Sequence, residues 1–289
     1  AITHYRLGLA YAGNKDYSRA ITEYEKALEL DPSMTPARLK MATAYLRSGM
    51  DNKAISECQK VLEADSRNAE AHHILGAIYL AGDKLDAAMT ELQKAVALNP
   101  AFAAAHTDLG NIYYTRGMKE KALNEYNAAI RIDPKIAVAH RRLGNIYEEQ
   151  AKYDDAIAAY KQAIQSSPIG MPQAYNDLAW LYAKRKTNLD EALTLAEKAR
   201  ELAPRDGNVL DTLGFIYYLK QMYDDAITTL ESAKLTLSDD PSVRYHLGMA
   251  YYKKGLKEKA LAELNKALEI GKSFPEANEA RQIIKELKG

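Results

Sequence analysis

The sequence predicts an all-α protein built as a tandem array of helix–turn–helix repeats. Three observations carry that prediction. A pattern recurs every 34 residues across the 289-residue chain. The composition is rich in Ala, Leu, Glu, Lys and Tyr and poor in Val, which favours helix over strand. Within each half of the pattern, apolar residues fall at three- and four-residue steps, the stripe of an amphipathic helix. Length alone would suggest about two globular domains, a prior that a repeat overrides. Apolar residues make up 47% of the chain, enough for a continuous core.

Each repeat opens on a first helix, helix A, marked Leu-Gly-x-x-Tyr. The copies are Leu7-Gly8-Tyr11, Leu75-Gly76-Tyr79, Leu109-Gly110-Tyr113, Leu143-Gly144-Tyr147, Leu213-Gly214-Tyr217 and Leu247-Gly248-Tyr251, with weaker versions at Met41-Ala42-Tyr45 and Leu178-Ala179-Tyr182. A glycine inside a helix costs up to about 1 kcal/mol relative to Ala. Six glycines at one phase therefore point to a packing gain from close helix approach. Turn residues follow, as at Arg47-Ser48-Gly49 and Arg116-Gly117. Helix B then carries small residues at two phases. The first set is Ala20, Ala54, Ala88, Ala122, Ala156, Ala192, Ala226 and Ala260. Seven residues later come Ala27, Ala95, Ala129, Ala163, Ala199, Ala233 and Ala267, with Val61 as the exception. Pro32, Pro100, Pro134, Pro168 and Pro204 close repeats, because proline disfavours helix at the residue before it.

This pattern resembles the tetratricopeptide repeat family, and the resemblance covers essentially the whole chain. It divides the chain into repeats 1–34, 35–68, 69–102, 103–136, 137–171, 172–206, 207–240 and 241–274. Single residues are inserted near Ile169-Gly170-Met171 and in the turn Arg185-Lys186-Thr187-Asn188, flanking the sixth repeat. The amphipathic tail 275–289 reads as a capping helix, since a solenoid must cover its last apolar face. The resemblance implies one right-handed α-solenoid superhelix over 1–289, with A helices lining a concave groove and B helices the outer wall. It also implies a protein–protein interaction scaffold.

In this family the groove is lined by the second, fifth, sixth, ninth, twelfth and thirteenth places of each repeat. The last three repeats put an aromatic set there: Asn176, Trp180, Lys184, Phe215, Tyr218, Tyr245, Met249 and Tyr252. Trp180 is the only tryptophan. Trp180, Phe215 and Met249 share the ninth place and form a ladder that either contacts an apolar peptide or packs against neighbouring A helices. Aromatic residues and Met are enriched in interfaces. A second candidate set is Asn111, Arg141, Arg142 and Asn145. Asn can bond an extended backbone and Arg can fork onto a carboxylate. The alternative is a solvated surface on which Glu148 and Glu149 neutralise the arginines.

Two narrower resemblances fail. Arg141 and Asn145 are followed by Asp177, Asn208 and Thr212, which departs from the carboxylate clamp of chaperone adaptors. The sixth place does not hold the asparagine ladder of O-GlcNAc transferases. The stretch from Gln173 to Gly271 does resemble repeats of bacterial envelope and assembly proteins, through Asn176-Asp177-Leu178-Ala179-Trp180-Leu181-Tyr182-Ala183 and Leu210-Asp211-Thr212-Leu213-Gly214.

His4, His72, His106 and His140 all occupy the fourth place of a repeat. Copies one helix pair apart would lie about 20 Å from each other, too far to share a metal, so a structural role is expected. Cys58 aligns with Tyr24, Leu92, Tyr126 and Tyr160, which makes it a core-facing and inert thiol. No phosphate loop or metal-spaced Cys/His set is present, so no catalysis and no cofactor are expected. Lys plus Arg equals Asp plus Glu at 39 each, which argues against a nucleic-acid partner. No apolar run is long enough to span a membrane. Ala1 is not an initiator Met, so a fragment or processed form is expected. The expected partner is a peptide or protein segment. Alternatives are a docking arm of a larger enzyme and self-association through the end that opens at Ile2.

Overall fold

The computed structural model describes residues 1–167 and 169–289; Pro168, expected to close the fifth repeat, lies outside the described residues. Those residues form seventeen α-helices and no strand. The A helices are α1 (Ile2–Gly13), α3 (Thr35–Arg47), α5 (Ala69–Ala81), α7 (Ala103–Thr115), α9 (Ala137–Glu149), α11 (Pro172–Arg185), α13 (Gly207–Leu219) and α15 (Pro241–Lys253). The B helices are α2 (Tyr17–Leu30), α4 (Asp51–Ala64), α6 (Leu85–Leu98), α8 (Lys119–Ile132), α10 (Tyr153–Gln165), α12 (Leu189–Leu202), α14 (Tyr223–Thr236) and α16 (Lys257–Ile270). The tail supplies α17 (Ala277–Lys288).

Local chemistry sets the helix ends. Asp16, Asn68, Asp206 and Asp240 cap helices by accepting hydrogen bonds from first-turn N–H groups. Prolines begin α3, α11 and α15, where a missing N–H costs nothing. Each A helix ends on the same device. The carbonyl of the motif tyrosine accepts from the N–H five residues on, as in Asp16 to Tyr11, Lys84 to Tyr79 and Met222 to Tyr217. A left-handed residue makes this closure. It is Gly49, Gly117 and Gly255 in three repeats, but Lys15, Asp83, Ala151 and Gln221 in four others. The inserted residue of the sixth repeat is absorbed by two left-handed positions, Lys186 and Asn188, while the Thr187 N–H still reaches Tyr182.

The chain forms two compact halves, Ala1–Pro134 and Lys135–Gly289. In the N-terminal half each A helix packs on its own B helix, and α2, α4 and α6 pack on the A helix that follows; α3 also touches α1 and α5. In the C-terminal half the same order holds, α9, α11, α13 and α15 touch one another in succession, and α17 packs on α16.

Matched residue sizes bring the two helices of a pair together. A Cβ added at Gly8, Gly110 or Gly144 would sit 2.4–2.7 Å from the ring of Tyr24, Tyr126 or Tyr160. At Gly76, Gly214 and Gly248 the obstacle is Leu92, Leu230 and Leu264. Where helix A carries Ala instead, helix B offers a smaller partner. Ala42 aligns with Cys58, and Ala179 aligns with Ala196 once the turn insertion is counted; all four are fully buried. Cys58 is thus the size complement of Ala42, and burial pushes its thiol up to about 12, where it stays protonated.

The fourth-place residue bridges the pair. His4 reaches Glu23 at 2.6 Å, His72 reaches Glu91 at 2.5 Å and His106 reaches Glu125 at 2.6 Å. Arginine makes the same bridge in Arg38–Glu57 at 2.7 Å and Arg244–Glu263 at 2.9 Å. Two cations, Lys234 and Arg244, together hold the Glu263 carboxyl below its ordinary range against the opposing effect of burial. The motif tyrosine ties one repeat to the one before. Tyr45, Tyr217 and Tyr251 donate to Glu25, Glu197 and Glu231 on the preceding helix B.

Candidate functional site

The A helices of the C-terminal half present the residues expected at a groove. Trp180 on α11 and Phe215 on α13 are half-buried neighbours, with ring centroids 5.6 Å apart. Phe215 stacks on His246 of α15 at 4.4 Å and 24°, and runs nearly parallel to Tyr218 at 6.2 Å. Met249 and Tyr245 stand apart from this surface. They are 3% and 5% exposed and pack with Leu264, Ile283 and Ile284. The ninth-place ladder therefore shows two open rungs, Trp180 and Phe215, and a third covered in the core where α17 closes the last repeat. Tyr252 is partly exposed, and its hydroxyl donates to Glu286 of α17 at 3.2 Å.

The second expected set is divided. Asn111 lies on α7 in the N-terminal half, where its amide oxygen accepts from the Tyr126 hydroxyl at 2.9 Å. Asn145 makes the same bond with Tyr160 at 3.0 Å in the C-terminal half. Both asparagine oxygens are thus committed to anchoring the helix B tyrosine beneath their own helix. Arg141 pairs with Asp177 of the next A helix at 2.8 Å. Burial raises the Asp177 carboxyl pKa, against the pull of Arg141. Glu148 accepts from Lys184, which is exposed, and from Tyr160. Arg142 sits beside Arg141 on α9, half-buried.

A rule links these pairs. A fifth-place residue meets the sixth-place residue of the following repeat, as in His73–Asp108 at 2.9 Å, Arg141–Asp177 and Asp211–His246 at 2.9 Å. The sequence separation is 35 residues, or 36 across the insertion. Opposite charges at that spacing are the signal that sequence reading missed. His246 is 1% exposed. Burial alone would lower its pKa, but Asp211, aided by Glu276 and Asp240, reverses this and raises it.

Beside the aromatic pair lies a recess of about 260 Å³. Asn176 and Trp180 of α11 and Asp211 and Thr212 of α13 line it. Asn208, Ser242, Pro275 and Glu276 complete it. Two buried acceptors there, Asn176 Oδ1 and Glu276 Oε2, have no hydrogen-bond partner. Glu276 lies in the tail beyond the last repeat, so no repeat position pointed to it. In the N-terminal half a recess of about 260 Å³ holds Lys40, Thr43, Arg47, His73 and Phe102. Among the described residues no group of His, Cys, Asp and Glu could hold a metal ion, and no helix is long and apolar enough to cross a membrane.

Family models described as tetratricopeptide repeat match residues 11–78, 137–168 and 241–271, and one described as TPR repeat matches 76–117 and 110–151. The chain belongs to the tetratricopeptide repeat family. No curated protein matches it. Among solved structures, the Cut9-Hcn1 hetero-tetramer of the APC/C is similar at TM-score 0.73 and 19% identity, over 94% of this chain and 52% of that one. The chain thus spans about half the length of that relative. PilF of Pseudomonas aeruginosa is similar at TM-score 0.62 and 20% identity, over 72% of this chain and 93% of that one. YrrB, described as a TPR protein with an unusual peptide-binding site, is similar at TM-score 0.53 and 24% identity, covering 66% and 97%. These likenesses are likenesses of fold. The tetratricopeptide repeats support the role of a protein–protein interaction scaffold.

Proposed function

We propose that the C-terminal half holds an extended segment of a partner protein against α11, α13 and α15, as a non-catalytic scaffold in the assembly of a multiprotein system. The observation that carries the reading is the half-buried pair of Trp180 and Phe215, bordered by a recess with unsatisfied acceptors. Aromatic anchors beside polar pockets are where binding energy concentrates in protein interfaces. Lys184 and Tyr218 flank the pair and suit the polar rim of such a site. Arg141 and Asn145 serve in this reading to hold the C-terminal surface in shape.

The test is selection from a random 12-residue peptide library on the full chain, followed by affinity measurement on Trp180→Ala/Phe215→Ala. The expected loss is roughly tenfold to a hundredfold, as for truncation of interface hot spots, with the helical circular dichroism unchanged. Selected peptides that bind the double variant as tightly as the parent would remove the reading.

A further inference from the structure

The recess beside Trp180 has a charge and hydrogen-bonding character of its own. We propose that it receives a cationic side chain, the guanidinium or ammonium group of an Arg or Lys in the bound segment. This rests on the peptide-binding reading above and adds to it the chemistry of one residue of the ligand.

The argument starts from donors and acceptors. Two carboxylates, Asp211 and Glu276, line the recess with the Asn176 amide, and no Lys or Arg lines it. Asp211 is already served, because His246 approaches it at 2.9 Å from a buried position. Glu276 acts on His246 through space but has one carboxylate oxygen without a donor. Its Oε2 is buried and accepts no hydrogen bond. Glu276 occupies the N-cap position of α17, yet its side chain makes no capping bond to that helix. A carboxylate so placed could satisfy itself on first-turn N–H groups, and this one, which lines the recess, makes no such bond. An ionised carboxylate can only accept, and a buried acceptor without a donor is costly. Asn176 Oδ1 adds a second unserved acceptor.

The occupant that answers both acceptors is a donor-rich cation. A guanidinium carries five N–H donors in a fixed fork, and an ammonium carries three. A neutral or anionic side chain would leave Glu276 unpaired or repel it. Trp180 supplies an aromatic wall, and the face of an indole attracts a cation. Pro275 and Glu276 precede α17, so the capping segment contributes directly to the site.

The experiment uses the fluorescence of Trp180, the only tryptophan in the chain. The full chain is titrated with N-acetyl-arginine methylamide and with N-acetyl-citrulline methylamide, its neutral isostere. The expected result is a saturable change with the arginine probe and none with citrulline. Glu276→Gln should weaken the arginine probe by roughly tenfold or more, the size of a lost charge-assisted bond, with the helical circular dichroism unchanged. Equal responses to the two probes, or full-strength binding by Glu276→Gln, would overturn the proposal. The two readings separate cleanly. Peptides selected without preference for Arg or Lys sink the cation pocket and leave the groove standing. A saturable arginine response with no peptide selected does the reverse.

Discussion

Residues at repeated positions take on different work according to what lies across from them. His246 stands where Asp108 and Asp177 stand in earlier repeats, and Asp211 stands where His73 and Arg141 do. The pair has kept its chemistry and exchanged its partners. Its neighbours are Phe215, Trp180 and Tyr245, so the imidazole is enclosed by aromatic rings. Because acidic neighbours raise the His246 pKa in the folded chain, the stabilisation is full below the ordinary histidine value. It is lost as pH rises through the higher folded value. Urea titrations at about pH 6 and about pH 8 should therefore show a larger stability for the parent at the lower pH. That difference should shrink in Asp211→Asn. A parent whose excess over Asp211→Asn is the same at both pH values would contradict the assignment. The asparagines teach the converse lesson. Asn111 and Asn145 look like groove donors in sequence, but the tyrosine of their own helix B claims their oxygens.

At the scale of helix pairs, most of the architecture was legible, because each structural demand recurs at one phase. Close approach requires Gly or Ala on helix A, and the turn requires a left-handed residue before helix B. The size exchange between helices was less legible. It became clear once Ala42 could be set against Cys58 and Ala179 against Ala196. Gly144→Ala tests it. Ala favours helix by up to about 1 kcal/mol over Gly, yet the new Cβ would lie 2.4 Å from the Tyr160 ring. Overpacking wins, and the expected net loss is about 1–3 kcal/mol in chemical denaturation. Adding Tyr160→Cys recreates the Ala–Cys pair of the second repeat. The double variant should be less destabilised than the two single losses summed. Strict additivity would show that the glycine and the ring do not meet. The ends of the array were the least legible. Met249 follows the ninth-place pattern on α15, but the cluster that includes Ile283 and Ile284 of α17 buries it. A repeat pattern carries no information about what covers its last member.

Across the chain as a whole, acidic and basic residues are equal in number, and many of them tie repeats together, as in Arg116–Asp86 at 2.5 Å and Lys254–Asp224 at 2.5 Å. In the proposed reading, function is left to positions where the pattern breaks. Trp180 and Phe215 were visible as breaks because the repeat gave them a background. Glu276 and Pro275 were not, because they lie outside it and reach the site only through folding. The proposal that a partner segment lies on the C-terminal half therefore has a single internal reporter. The most direct measurement is the indole N–H resonance of Trp180, which is one signal because the chain holds one tryptophan. On addition of a selected peptide, that resonance should shift progressively and saturate with the same affinity as the bulk binding isotherm. A peptide that binds with full affinity while the indole resonance stays in place would contradict the account.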